Sequence, residues 1–194
     1  LKLQKQAQQI TETTWVDSNG REQLKVSRLT MDVVGANTDF SRDPRFLEAR
    51  SGKTWYSPVY FRKETEPYMT ISRPAGGGGV TIAEVNLKFV WEVVSRIKIG
   101  QAGLAFVVNS AGTLIAHPDI SLVLQKTDFS TLPQVKNALQ AKPAAGEPEE
   151  RPMLGEARDR NGRPVITAYA RVEHRNAEGK VVEPPLDWYV FVEQ

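Results

Sequence analysis

The sequence predicts an α+β chain built of two tandem antiparallel-sheet modules with flanking helices, and three observations predict it. β-rich runs separated by turn signals fill residues 13–87, an amphipathic run follows at Leu87, Val90, Val93, Val94 and Ile97, and the β-rich pattern then restarts at Ala105. A length of 194 residues suits one large domain or two small ones. The restart after the helix favours two, residues 1–90 and 91–194.

The elements follow in order. Leu1, Leu3, Ala7 and Ile10 fall near helical spacing, so residues 1–11 predict the end of a helix. Ser18-Asn19-Gly20 is a turn signal between β-like runs, which makes residues 13–29 a hairpin. Residues 39–51 carry Pro44 and many charges around Phe46, Leu47 and Ala49, a loop with a brief helix in it. Residues 56–63, 67–73 and 80–87 read as three strands of a meander, with the Gly76–Gly78 tract and Gly79 at a hairpin tip. That tract lacks the Lys-Ser/Thr ending or the spacing of a phosphate-binding loop. The helix from Leu87 to Ile97 stops at Gly100, after which residues 105–109 and 113–117 form strands around Ser110-Ala111-Gly112. Pro133 opens a helix over residues 132–141, and residues 142–152 form a Pro-, Ala- and Glu-rich loop. Residues 153–158, 163–172 and 188–193 supply the last strands, with Asn161-Gly162 at the first turn.

Composition narrows the function. With 40% hydrophobic and 25% charged residues the chain has the makeup of a folded globular protein. Twenty-five Lys and Arg against 23 Asp and Glu leave a charge of +2, too even for the concentrated basic stripe that nucleic-acid binding needs. The absence of cysteine removes thiol catalysis, Cys-based zinc sites and disulfides. No run approaches the roughly 18 apolar residues of a membrane-spanning helix, so any membrane anchor is expected outside this chain. His117 and His174 stand apart without a second ligand at metal-binding spacing, and both read as structural. No nucleophile elbow or zinc-protease motif occurs, and no cofactor motif either. Catalytic residues, metal and cofactor are therefore expected to be absent.

The most informative stretch runs through Lys53, Trp55, Tyr56, Tyr60, Phe61 and Arg62 to Tyr68 and Thr70. Rings supply flat apolar walls, while phenol, indole and cationic groups supply a few oriented hydrogen bonds, the usual lining of a small-molecule pocket. Any one of these aromatics alone would read as core; the cluster is hard to bury without a polar ligand or ordered water. Arg42, Arg45, Arg50, Lys53, Arg62 and Lys63 would favour an anionic ligand, or they form a solvated face offset by Asp39, Asp43, Glu48 and Glu64. Glu84 and Asn86 put polar groups on one face of an otherwise apolar strand, facing either a pocket or solvent.

Lys53-Thr54-Trp55-Tyr56, Pro67-Tyr68-Met69-Thr70-Ile71-Ser72, Glu84-Val85-Asn86-Leu87 and Gly112-Thr113-Leu114-Ile115-Ala116-His117-Pro118-Asp119 together resemble the double Cache (dCache) family of bacterial sensor domains. The resemblance implies two PAS-like modules behind a long N-terminal helix, the membrane-distal one holding a small-molecule ligand and the membrane-proximal one leading to a second membrane helix. It implies the periplasmic part of a receptor, not an enzyme, with a cytoplasmic kinase, cyclase or chemotaxis output and a possible homodimer in the full receptor. The expected ligand site is Lys53, Trp55, Tyr56, Phe61, Tyr68, Thr70 and Glu84. In the amino-acid-binding branch an Arg-x-Trp-Tyr motif, a Tyr-x-Asp and a later Asp hold the ligand. Lys53 takes the Arg place, Glu84 the late Asp, and Val59 and Phe61 the Tyr and Asp, a pattern that points to a carboxylate or another small polar metabolite. A structural, dimerising or protein-docking module is the alternative.

Overall fold

A computed structural model describes residues 6–63, 65–100, 102–141, 153–173 and 186–194. The expected loop over 142–152, most of the N-terminal helix and His174 lie outside the described residues. The chain divides into two compact units, residues 1–89 and 90–194, each around its own antiparallel sheet.

The N-terminal unit begins with strands β1 (Ile10–Val16), β2 (Glu22–Ser27) and the short β3 (Val33–Val34). β1 starts where the sequence pattern predicts the last turn of a helix. Ile10, Thr11, Thr13 and Thr14 are β-branched, a choice that restricts side-chain freedom in a helix and suits a pleated surface, and Ile10 pairs with Val85. Helix α1 (Pro44–Leu47) opens on Asp43, whose carboxylate accepts from the Arg45 N–H, with Pro44 in the first turn, where a missing N–H costs nothing. The expected strand over 56–63 is two short ones, β4 (Trp55–Tyr56) and β5 (Tyr60–Arg62), because Pro58 sits between them without an N–H to give to a ladder. β6 (Glu66–Pro74) and β7 (Val80–Asn86) complete the sheet. Its order is β3-β2-β1-β7-β6-β4, with β5 also paired to β6. Phe46 and Ala49 pack onto one face of it against Val16, Val80 and Ile82, all buried, with Phe40 at the edge.

Helix α2 (Lys88–Arg96) follows, and then the second sheet, ordered β10-β11-β12-β8-β9. Its strands are β8 (Leu104–Asn109), β9 (Leu114–Ala116), β10 (Met153–Arg158), β11 (Pro164–Arg171) and β12 (Trp188–Glu193). Helices α3 (Ile120–Leu124) and α4 (Pro133–Gln140) lie between β9 and β10 in the chain. An aromatic stack forms the centre: Phe106 lies parallel to Phe191 at 5.0 Å and edge-on to Phe129 at 5.3 Å.

The two units repeat one frame. Thr38-Asp39-Phe40-Ser41 in the first recurs letter for letter as Thr127-Asp128-Phe129-Ser130 in the second. In each the phenylalanine N–H donates to a hairpin-turn glycine, Phe40 to Gly20 O at 2.7 Å and Phe129 to Gly112 O at 2.8 Å. Both glycines have positive φ, and a Cβ on either would sit 2.6 Å from Ser41 or Ser130. Asp17 and Asn109 close the two turns identically, each side-chain oxygen accepting from the N–H two and four residues on. The strand order β2-β1-β7-β6 matches β9-β8-β12-β11. Register then fixes equivalents: Val16 pairs with Val80 as Val108 pairs with Tyr189, and counting four residues on brings Glu84 onto Glu193. Their partners match as well, Thr70 opposite Glu84 and Thr167 opposite Glu193.

Candidate functional site

Residues paired across neighbouring strands share a face of the sheet. One line of such pairs crosses the first sheet as Tyr60–Tyr68 and, a step along, Thr70–Glu84–Glu12–Ser27, all on the face that carries Val16, Val80 and Ile82. Polar groups thus continue the inner face where the apolar core stops.

Glu84 is the hub. It is 8% exposed. Its carboxylate accepts from Thr70 Oγ1 at 3.1 Å and from the Tyr60 hydroxyl, and it lies 3.4 Å from the guanidinium nitrogens of Arg45 and Arg62. Arg45 comes from α1. It is held by Asp43 through two bonds of 2.9 and 2.6 Å and lies over the Phe40 ring at 5.1 Å. Arg62 projects from β5, bonds Glu12 at 2.9 Å and covers the Tyr68 ring at 4.4 Å, an arrangement in which packing and cation–π attraction fix its head. Lys25 stands 3.3 Å from the other oxygen of Glu12. Tyr68 is fully buried, stacked on Tyr60, and its hydroxyl accepts from Asn86.

Burial pushes the Glu84 carboxyl up to about 7, with Arg45 pulling it back in part and Glu12 adding to the rise. Burial also raises Glu12, but the bonds from Arg62 and Lys25 outweigh it and hold that group below its ordinary value. Glu84 therefore sits at the edge of ionisation near neutrality, between fixed cations and two hydroxyl donors. Such a site can bind a molecule carrying both charges: guanidiniums answer a carboxylate, and an ionised Glu84 answers an ammonium.

Of the residues named from sequence, the structure brings Tyr68, Thr70 and Glu84 together. Trp55 pairs with Ser72 and so shares their face, further along β6. Tyr56 pairs with Ile71 and Phe61 with Pro67, which puts both on the opposite face, where Arg73 tempers the burial-raised Tyr56 hydroxyl. Lys53 is exposed in the turn before β4. Sequence reasoning missed Glu12 altogether, and weighed Arg45, Tyr60 and Arg62 without placing them in the expected site. Two-residue alternation within β5 would have joined Tyr60 to Arg62 once Pro58 was taken as a break. The inward pair on β5 is thus Tyr60 and Arg62, one residue on from Val59 and Phe61. Tyr60 therefore stands at the inner face, while Arg62, a cation, stands where the amino-acid-binding branch has its Asp.

Residues 1–194 match the Cache domain family in its dCache type. The chain belongs to the Cache domain family. This Cache domain is 30% identical over 124 residues to the methyl-accepting chemotaxis protein TlpB of Bacillus subtilis, which covers 52% of this chain and 19% of TlpB. The chain thus spans about a fifth of the curated relative it matches. Among solved structures it resembles the sensory domain of the Campylobacter jejuni chemoreceptor Tlp3, with a TM-score of 0.66, 13% identity and coverage of 100% of this chain and 70% of that one. It also resembles the ligand-binding domain of the Pseudomonas aeruginosa amino-acid chemoreceptor PctC in complex with GABA, with a TM-score of 0.64, 20% identity and coverage of 96% and 74%. This Cache domain carries two antiparallel sheets, one in each unit, the fold of those sensory domains. Among the described residues no helix is long and apolar enough to cross a membrane, and no three His, Asp or Glu group as metal ligands.

Proposed function

We propose that this Cache domain is the extracytoplasmic sensor of a membrane-anchored signalling receptor and that its N-terminal unit, about residues 1–90, is the membrane-distal module that binds a small zwitterionic amino-carboxylate. The observation that carries the reading is the buried Glu84 carboxyl, set between Arg45, Arg62, Tyr60 and Thr70 on the inner face of the sheet. A ligand carboxylate pairs with the guanidiniums and its ammonium with Glu84, while Trp55 supplies ring surface and Tyr68 backs Arg62 from beneath. PctC, bound to GABA, is a relative of this fold whose ligand has that chemistry. Residues 91–194 form the membrane-proximal module, and α2 joins the two in the chain. Signalling then requires only that two arrangements of the receptor hold the ligand with different affinity. Histidine-kinase, cyclase and chemotaxis outputs are all compatible with such a sensor, as is a homodimer.

The test is a thermal-shift and calorimetric screen of amino acids, GABA, dicarboxylates, simple amines and sugars against the domain and its Glu84→Gln variant. A ligand that binds the native state raises the melting temperature with concentration. Amino-carboxylates are expected to bind, and Glu84→Gln to weaken them by about tenfold or more, the loss of one charge-assisted pair. Affinity for the parent domain should rise with pH through about 7, as Glu84 ionises, and this rise should vanish in Glu84→Gln. Undiminished affinity in Glu84→Gln sinks the site. A second reading has one observation in its favour: Lys25, Arg45 and Arg62 already balance Glu12, Asp43 and Glu84 within the cluster. Under it the network is structural and the module docks a protein, and silence across the whole screen would favour it.

A further inference from the structure

The frame that places Glu84 in the first unit places Glu193 in the second. Glu193 is 7% exposed and lies opposite Thr167, as Glu84 lies opposite Thr70. The surroundings differ. Glu84 meets two guanidiniums and two hydroxyls, whereas one oxygen of Glu193 accepts from Gln134 Nε2 at 2.6 Å and the other bonds nothing among the described residues. Instead, Glu193 borders a cavity of about 300 Å³ within the C-terminal unit, at the small end of the range for small-molecule sites, about 300–1,000 Å³.

Phe106, Phe129, Leu122 and Leu132 form the apolar wall of this cavity. Among the described residues its charged groups are Asp119, Asp159 and Glu193, with Arg160 as the one cation. The histidine in the wall, His117, is 8% exposed. Its Nδ1 accepts from the Asp119 N–H at 2.9 Å, so in the neutral ring the proton is on Nε2, which bonds no other group among the described residues. Two side chains more than nine-tenths buried thus border one cavity, each with a polar atom available to an occupant.

We infer that the C-terminal unit holds a second small-molecule site, for a small organic amine whose ammonium pairs with Glu193 and whose apolar body lies on the Phe106 and Phe129 rings. Charge selects the class. Three carboxylates against one guanidinium favour a cation, and the aromatic faces add to that preference. Burial and the nearness of Asp159 raise the Glu193 carboxyl, and a bound ammonium would relieve both. The Glu193 position corresponds to the hub of the first unit, but an acid without answering guanidiniums calls for an amine and not for an amino-carboxylate.

The probes are isoamylamine and phenethylamine, with isovalerate as the anionic control. His117 is one of only two histidines, so its imidazole resonances are readily followed by NMR. Either amine, added to about 10 mM, should shift the His117 signals saturably and raise the melting temperature. Glu193→Gln, which can keep the bond from Gln134, should weaken amine binding by about tenfold. Glu84→Gln should leave it unchanged, which separates this site from the one in the first unit. The inference is overturned if neither amine moves His117, if Glu193→Gln binds as tightly as the parent domain, or if isovalerate binds in preference. Should Glu193→Gln fail to fold, the titration of the parent domain decides alone.

Discussion

The two units of the molecule share a strand order, a hairpin closed by a positive-φ glycine and the Thr-Asp-Phe-Ser tetrapeptide, yet their inner faces differ. In the first unit a buried acid is surrounded by cations on α1, β2 and β5. In the second, the equivalent acid faces a cavity walled by rings. The shared features are turn contacts at one end of each sheet, whereas the differing ones are side chains on the strands and on α1. The frame therefore stays constant while the chemistry of the face it supports changes, a division that fits a fold hosting many ligands.

Three variants or pairs of variants test that comparison, from the largest effect to the smallest. Phe46 and Phe191 are both fully buried, one in each unit. Changing either to alanine should cost about 3–5 kcal/mol by chemical denaturation; a small loss at one of them would mean that its unit lacks the packed core described. Gly20→Ala and Gly112→Ala put a Cβ into backbone at positive φ and should each cost about 2–3 kcal/mol. If only one of the pair is destabilising, the two turns are not equivalent supports. The smallest effect is a slope. Because folding raises the Glu84 carboxyl from 4.5 to about 7, the folded state binds more protons than the unfolded one between those values. Stability from this group is then greatest below pH 4.5 and falls as pH rises through about 7. Subtracting the Glu84→Gln profile from that of the parent domain isolates this term, since His117 and Glu193 are common to both. A difference that rises with pH would contradict the burial assigned to Glu84.

Much of the fold was legible in the sequence because turns carry strong local signals. Ser18-Asn19-Gly20, Ser110-Ala111-Gly112 and Asn161-Gly162 fixed hairpins, and Pro133 fixed the start of α4. What escaped was short or set by distant partners. β3 has two residues and α3 five, too few for a period to register. Ile10 joined a strand because Val85 was there to pair with it. Tyr68, Thr70 and Glu84 could be named because they lie in the stretches that carry the resemblance to the dCache family. Arg45 and Glu12 reach Glu84 only through the folded arrangement, from 39 positions away for Arg45 and from across the β1–β7 ladder for Glu12. The Thr-Asp-Phe-Ser repeat was open to inspection, but its meaning appears only once both copies are seen against their glycines.

The link between β4 and β5 controls which side chains of β5 face inward. Only Ser57, Pro58 and Val59 separate the two strands. Since β5 is three residues long and its side chains alternate, losing or gaining one residue in this link would turn Phe61 inward and Arg62 outward, leaving every other strand in register. A single-codon insertion would thus put Phe61 in the place of Arg62 and take Tyr60 off the inner face together, changing two inward side chains in one step where point substitutions would need two.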